Sequence, residues 1–337
     1  MLKEALLYKK REDNKASCFL CSHYCLIADG KYGICQVREN RGGTLYTHAY
    51  GNLVAQSIDP IEKKPLYHFL PGSTSFSIAA AGCNFQCGFC QNWQISQVKE
   101  ARTLGLRSGE VKPEEVVRQA KSSGSKSISY TYTEPTIFFE YARDVAQLAK
   151  REGLYNVFVT NGFMTEEMID VAQPWLDAAN IDLKSFNDDY YRKLCKGRLE
   201  PVLRSIEQMK KLGIWVEVTT LVVPGENDSE DEFRKIAEFL GRIDPAIPWH
   251  ISRFYPQYQM DNLESTPMKT MNRAYEIGQE SGLRYVYLGN VMGKGSDTHC
   301  PQCGQVLIER VGFTVQKQKI KEGKCPDCQN PIDGIGL

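Results

Sequence analysis

The chain has 337 residues, with 41 Lys+Arg against 41 Asp+Glu, 42 % hydrophobic residues and 12 cysteines. Zero net charge argues against a nucleic-acid scaffold held by bulk charge, and 24 % charged residues among abundant Leu, Ile and Val exclude long disorder. No apolar run reaches the roughly 20 residues that span a bilayer. MLKEALLYKKRED shows neither an apolar core nor a cleavage site, so a cytoplasmic protein with no membrane and no nucleic-acid partner is expected.

Residues 1–70 are loop-rich and carry the first cysteine group, Cys18, Cys21, Cys25 and Cys35, in CFLCSHYCLIADGKYGIC. Four thiolates so close together, with Gly30 and Gly33 bending the chain, read as one metal site. The x2-x3-x9 spacing matches neither the common zinc nor the common ferredoxin runs, so zinc and an auxiliary iron–sulfur cluster both stay open, and His23 is an alternative ligand. PIEKKPLYHFLPG (60–72) reads as a linker into the main domain, residues 71–295.

From residue 75 strands and helices alternate. Strands are expected at 75–81, 125–132, 155–160, 178–184, 214–223, 248–254 and 283–289. Helices are expected at 112–124, 135–151, 165–173, 200–213, 228–243 and 269–282. Seven strands joined by helices imply right-handed crossovers and an α/β fold with a parallel sheet closed fully or partly into a barrel. The working face then lies at the carboxyl ends of the strands.

The second cysteine group follows the first of these strands. In AAGCNFQCGFCQNW, Cys83, Cys87 and Cys90 are spaced C-x3-C-x2-C. Three thiolates can hold three irons of a cubane and leave the fourth open to a substrate or cofactor, whereas electron-transfer clusters take four. The third group, in residues 296–337, is Cys300, Cys303, Cys325 and Cys328, two C-x2-C knuckles in CPQC and CPDC. That is a zinc-ribbon signature, and four thiolates close a structural zinc site that supplies a small tail with the core it lacks.

The central loop, with Phe89 before its last cysteine, resembles that of the radical S-adenosylmethionine (SAM) superfamily. The resemblance implies a partial (β/α)6-type radical SAM barrel with small metal-binding N-terminal and C-terminal appendages. It also implies a [4Fe-4S] cluster whose open iron binds the amino and carboxylate groups of SAM. Reductive cleavage then yields a 5′-deoxyadenosyl radical that abstracts a hydrogen atom from a protein or small-molecule substrate. Residues at later strand ends match the family's SAM contacts: Thr133 and Glu134 in TYTEP, Asn161 in TNG, Asp182 and Lys184 in IDLK, Thr220 in TTLVV and His250 in WHISRF. Phe89 and Asn92 join them from the cysteine loop. In TYTEP, residues with side chains stand where relatives carry glycines, which restricts backbone approach. Each match also has a plainer reading: an ion pair for Asp182 and Lys184, a core histidine for His250, a turn for Asn161. Cys195, in YYRKLCKG, reads as an ordinary helix residue.

Over nearly its whole length the chain is similar to the radical SAM component of the AmmeMemoRadiSam system, related to pyruvate formate-lyase activating enzymes. The quoted motifs are CxLCxHxC…GxxGxCxxREN, CNFQCGFCQNW, YTYTEPT, IDLKSF and YVYLGN. The resemblance implies a reductase, flavodoxin or ferredoxin as electron donor, and Memo-like and AMMECR1-like companions. A glycyl-radical-enzyme activase is one alternative. A multi-cluster electron-transfer protein and a zinc-ribbon binding module are others.

Overall fold

The computed structural model describes residues 2–97, 109–291, 293 and 295–337. Its N-terminal part holds six short strands, β1 (Lys3–Glu4), β2 (Tyr8–Lys10), β3 (Ala16–Cys18), β4 (Leu26–Ile27), β5 (Arg38–Arg41) and β6 (Thr44–Thr47). They form two three-stranded sheets, in the orders β1-β6-β5 and β2-β3-β4. The main sheet has eight strands: β7 (Leu53–Pro60), β8 (Thr74–Ala80), β9 (Ser127–Tyr130), β10 (Tyr155–Thr160), β11 (Ala178–Asp182), β12 (Trp215–Val222), β13 (Trp249–Arg253) and β14 (Val286–Gly289). A last sheet, β15 (Thr298–His299), β16 (Val306–Val311) and β17 (Thr314–Gln318), makes the tail.

β8 to β14 lie in sequence order and pair in parallel, as the strand–helix alternation requires. β9 is buried at every position and β11 at all but its last, the pattern of a sheet covered on both faces. Six helical connections join the seven parallel strands, which gives the (β/α)6 arrangement expected. The helices of these connections are α2 (Pro113–Ser122), α3 (Phe139–Arg151), α4 (Glu166–Ala172), α5 (Asp188–Tyr190), α6 (Glu200–Lys211), α7 (Glu230–Ile243) and α8 (Met268–Glu280), with α1 (Trp93–Ser96) beside the cysteine loop. Thr165 and Ser229 cap α4 and α7 by accepting from Met168 and Glu232 amides. No helix among the described residues is long and apolar enough to cross a membrane.

Two features depart from the expected plan. β7, drawn from the N-terminal region, pairs antiparallel with β8 and forms one edge of the main sheet, so that region is not self-contained. The segment read as a linker is a plug. Lys64, Leu66, Tyr67, His68 and Phe69 are all buried. Its polar groups are satisfied one by one: Lys64 pairs with Asp59 at 2.7 Å, and Glu217 accepts from the Tyr67 and His68 amides at 3.0 and 2.8 Å. Glu217 is the third residue of β12, so the plug closes the amino end of the sheet. The tail docks there too, through Phe69 pairing with Ile335 and the buried Arg310 beside Glu62.

Candidate active site

β8 delivers the chain to the carboxyl end of the sheet, and Cys83, Cys87 and Cys90 follow within ten residues. The loop is held by backbone. Gln86 and Gly88 amides donate to the Cys195 and Leu194 carbonyls at 2.9 and 3.2 Å, and Gly82 donates to Ile95. Tyr191–Cys195 is a π-turn, which interrupts the regular helical ladder and leaves carbonyls for the loop. Phe85 lies so close over Gly197 that a Cβ there would sit 2.3 Å from its ring, so only glycine fits.

The three sulfurs have distinct surroundings. Burial pushes the Cys83 and Cys90 thiols up, Cys83 furthest. Cys83 accepts from the Phe85 amide, and Cys90 lies 3.0 Å from the Ser96 hydroxyl. A hydrogen bond from Cys195 draws the Cys87 thiol down against its burial, and the charge of Lys184 adds to this. Burial disfavours the Lys184 ammonium, but Asp182, Cys87 and Cys195 together outweigh it and hold its pKa well above the usual range. Three thiolate donors on one loop beside a partly buried cation fit an iron–sulfur cluster.

Most strand-end residues assemble around this loop. Lys184 pairs with Asp182 at 2.8 Å and sits 5.8 Å from the Phe89 ring centre. Asn92 Nδ2 donates to the Tyr132 carbonyl at 2.7 Å. Asn161 Nδ2 donates to Asn84 Oδ1 at 2.7 Å and faces the Cys83 sulfur at 3.8 Å. Glu134 is buried, and burial raises its pKa. Its carboxylate accepts from Thr136, from the Thr160 hydroxyl and from the Asn161 amide, so its side chain ties the ends of β9 and β10 together. The substituted glycines of TYTEP are also explained. Tyr132 takes a left-handed φ of 63°, and its hydroxyl reaches Asp59. Thr133 Oγ1 donates to the Ala80 carbonyl. Both side chains turn to β7 and β8, which leaves the turn's backbone open.

Two expected contacts are not brought here. The Thr220 hydroxyl donates to the Leu183 carbonyl and accepts from Trp249 Nε1, so it is consumed in the core. His250 is the second residue of β13, near the amino end, and its Nε2 meets Glu217 at 2.6 Å. It packs edge-on to Tyr67 of the plug. Sequence reading took Cys195 for an ordinary helix residue. Its only signal is a cysteine in the connection after the Asp-x-Lys strand, which spacing alone does not tie to Cys87.

The outer cysteine groups differ in geometry. In the tail, Cys300 and Cys328 sulfurs lie 3.6 Å apart and those of Cys303 and Cys325 3.7 Å. All four fall within 4.8 Å of one another. Bonds of about 2.3 Å in a tetrahedron put sulfurs about 3.8 Å apart, so this group is set for one ion. Cys18, Cys21, Cys25 and Cys35 face a common cavity with Arg38 and Ile137.

A family model described as the radical SAM superfamily matches residues 77–240. An uncharacterized protein of Methanocaldococcus jannaschii is 44 % identical over 336 residues, covering 98 % of this chain and 99 % of that protein. The pyruvate formate-lyase 1-activating enzyme of Escherichia coli is 23 % identical over 222 residues, 61 % of this chain and 89 % of that enzyme. Among solved structures, a radical SAM methyltransferase from Sphaerobacter thermophilus superposes with a TM-score of 0.51 at 17 % identity, covering 71 % of each chain. At that identity the likeness is one of fold.

Proposed function

The chain belongs to the radical SAM superfamily, and on that premise we propose that Cys83, Cys87 and Cys90 hold its [4Fe-4S] cluster while the strand ends around them hold SAM. The observation that carries this reading is the placement of a partly buried Lys184, paired with Asp182, beside a three-thiolate loop at the carboxyl end of a (β/α)6 sheet. When bound, the cluster supplies one electron to the sulfonium of SAM and so gives methionine and a 5′-deoxyadenosyl radical.

The protein's own part is positioning and shielding. Lys184 neutralises the methionine carboxylate, held in place by Asp182. The backbone of Thr133 and Glu134 faces the amino group, with Tyr132 bent out of the way. Phe89 covers the loop from within, packed against Tyr190 at 5.9 Å. Asn92 and Asn161 fix the loop to the ends of β9 and β10. Thr220 and His250 stay outside the site.

The substrate is a protein or small molecule that gives up a hydrogen atom. A glycyl-radical-enzyme activase is the second reading, favoured by the similarity to the E. coli activating enzyme. The motif resemblance across the chain further supports a place in the AmmeMemoRadiSam system, with Memo-like and AMMECR1-like proteins as partners. It also supports a flavodoxin- or ferredoxin-type donor and a cytoplasmic setting. The tail's four sulfurs support zinc.

Anaerobic reconstitution with iron and sulfide, reduction, and assay of 5′-deoxyadenosine test the reaction. Cleavage in the wild type and none in a Cys83/Cys87/Cys90→Ala variant is expected. An intact cluster that never cleaves SAM overturns the reading in favour of electron transfer. A glycyl radical signal on mixing with a partner protein decides for the activase.

A further inference from the structure

The N-terminal cysteines are not needed to bind SAM, yet they sit against the site that does. Cys18, Cys21, Cys25 and Cys35 line one cavity, whose other walls are aliphatic (Leu20, Ile27, Ile34, Ile137) apart from His23, Thr136 and Arg38. Thr136 is the residue whose amide and hydroxyl hold Glu134. The cavity therefore shares a wall with the turn after β9.

The cavity wall holds one unsatisfied donor. Arg38 is 2 % exposed and pairs with Glu140 at 2.5 Å. Its Nη1 lies 3.8 Å from the Cys18 sulfur, and its Nε has no hydrogen-bond partner among the described residues. A buried unpartnered donor beside four sulfurs points to an anionic group held in the cavity.

The sulfurs are spread more widely than a single ion needs. Among the described residues the tail's four cysteines form the group whose ligand atoms lie within 4.8 Å of one another; the N-terminal four do not. A cubane bonds each thiolate to a separate iron and so holds its sulfurs farther apart than one tetrahedral ion does. Gly33 packs beside the group: a Cβ there would lie 3.3 Å from Ile27 and 3.8 Å from both the Cys25 and Cys35 sulfurs.

The two cysteine groups are also joined. His23 Nε2 meets the Asn84 carbonyl at 2.7 Å, one residue past Cys83. The His23 ring contacts Phe163 at 4.8 Å, and Phe163 contacts Phe85 of the central loop at 5.0 Å. Cys21 pairs with Met164 across the boundary. On the outer side Tyr24, Leu26 and Ile34, next in sequence to Cys25 and Cys35, are exposed.

We propose that Cys18, Cys21, Cys25 and Cys35 hold a second [4Fe-4S] cluster, through which the central cluster receives its electron. One electron passes from a reduced flavin or iron–sulfur protein docked on the Tyr24–Ile34 rim to the N-terminal cluster, and from there to the central one. The donor is oxidised by one electron, the central cluster is reduced by one, and no bond or proton is involved. The proposal rests on the radical SAM reading for its electron acceptor, but the second cluster can be counted without any turnover.

The decisive count is acid-labile sulfide, because a zinc or iron ion bound by thiolates alone contains none. Reconstituted wild-type chain is expected to hold about eight sulfides, and the Cys83/Cys87/Cys90→Ala variant about four, with the Mössbauer spectrum of a cubane that SAM does not perturb. About four sulfides in the wild type, none in that variant and two zinc ions per chain would overturn the proposal. Failure of the central reading looks different: the same eight sulfides with no SAM cleavage. In a Cys21→Ser/Cys35→Ser variant, shown folded by circular dichroism, sulfide falls by about half. Turnover driven by a protein donor then falls at least about tenfold more than turnover driven by dithionite. Equal losses with both reductants would remove the relay and leave only a structural cluster.

Discussion

Arg38 and Arg310 pin the two ends of the chain to opposite ends of the same sheet. Arg38 meets Glu140 in the first turn of α3, just past the carboxyl end of β9. Arg310 reaches Glu62, just past β7 at the amino end, and donates to the Tyr67 carbonyl of the plug. Each appendage brings four cysteines, and the ligand count alone would make them equivalent. Their places in the fold separate them. The tail group is compact, half exposed and on the end away from the cysteine loop. The N-terminal group is spread, faces an aliphatic cavity, and touches the turns that carry Glu134 and Asn161. What a metal can do for this enzyme is decided by which end of the strands it is docked on.

The comparison is broken most severely at Arg38. Arg38→Met leaves the Glu140 carboxylate buried and unpaired, which costs about 3–5 kcal/mol. Urea unfolding is expected to show that loss, and Arg38→Met/Glu140→Leu to recover much of it. Arg310→Met is expected to cost roughly half as much. Burial already raises the Glu62 pKa despite Arg310, so that carboxyl can neutralise by taking a proton. Equal losses at the two ends would show that the pairs are interchangeable.

Acid probes the tail side next. Burial lowers the His68 pKa to about 4, with Glu217 opposing and His250 and Arg310 adding nearby charge. The neutral ring suits its partners, the Asp333 carbonyl at 2.7 Å and the Tyr287 hydroxyl at 2.6 Å. Below about pH 6.5 the unfolded chain gains a proton that the folded chain refuses. Stability therefore falls as pH drops from about 6.5 to about 4, by up to about 3 kcal/mol, and levels off below. His68→Gln is expected to flatten that slope in unfolding curves taken across the window. His23, at the N-terminal dock, is also lowered by burial, so an unchanged slope in His68→Gln would move the acid-sensitive contact to that end.

His68 also marks where sequence reading stops. The parallel strands were legible because they are short apolar runs between capped helices, and the cysteine groups because metal ligation demands fixed spacing. KKPLYHF is polar enough to read as a linker. Lys64 finds Asp59 close by, but the Tyr67 and His68 amides are buried because they meet Glu217, about 150 residues away. Local pattern carries no trace of such pairings. His250 failed for a plainer reason: the strand was found, but His250 stands second of its five residues, near the amino end, where Glu217 is its partner. Cys195 was hidden by the π-turn, a local departure that brings Cys87 and Cys195 together.

A smaller effect sharpens the N-terminal contact. Thr165 caps α4, and its hydroxyl also donates to the Phe19 and Leu20 carbonyls at 2.8 and 3.3 Å. Thr165→Ala is expected to cost about 1–2 kcal/mol, the cap plus part of the dock. Hydrogen exchange separates the two. Faster exchange in residues 16–27 as well as in α4 is expected, and exchange confined to α4 would mean that the hydroxyl is only a cap.

The smallest effect on chemistry is expected at the tail. Cys303 and Cys328 are exposed, so a chelator would reach the proposed zinc directly, whereas Cys18 is buried. Cys303→Ser breaks the four-sulfur shell and should release one zinc per chain, because three thiolates hold it far less tightly. The tail sheet loosens, but the named contacts of the tail fall on the plug, on Tyr285 just before β14 and on Tyr287 in its amino half. The loop of Cys83, Cys87 and Cys90 is held instead by Ile95, Leu194 and Cys195 at the other end of the strands. SAM cleavage in Cys303→Ser should therefore stay within about twofold of wild type while zinc is lost, as measured by colorimetric zinc release and 5′-deoxyadenosine yield on one sample. A loss as large as that expected from the N-terminal cysteines would mean that the plug transmits the state of the tail through the sheet, and that the end of docking does not decide the role of the metal.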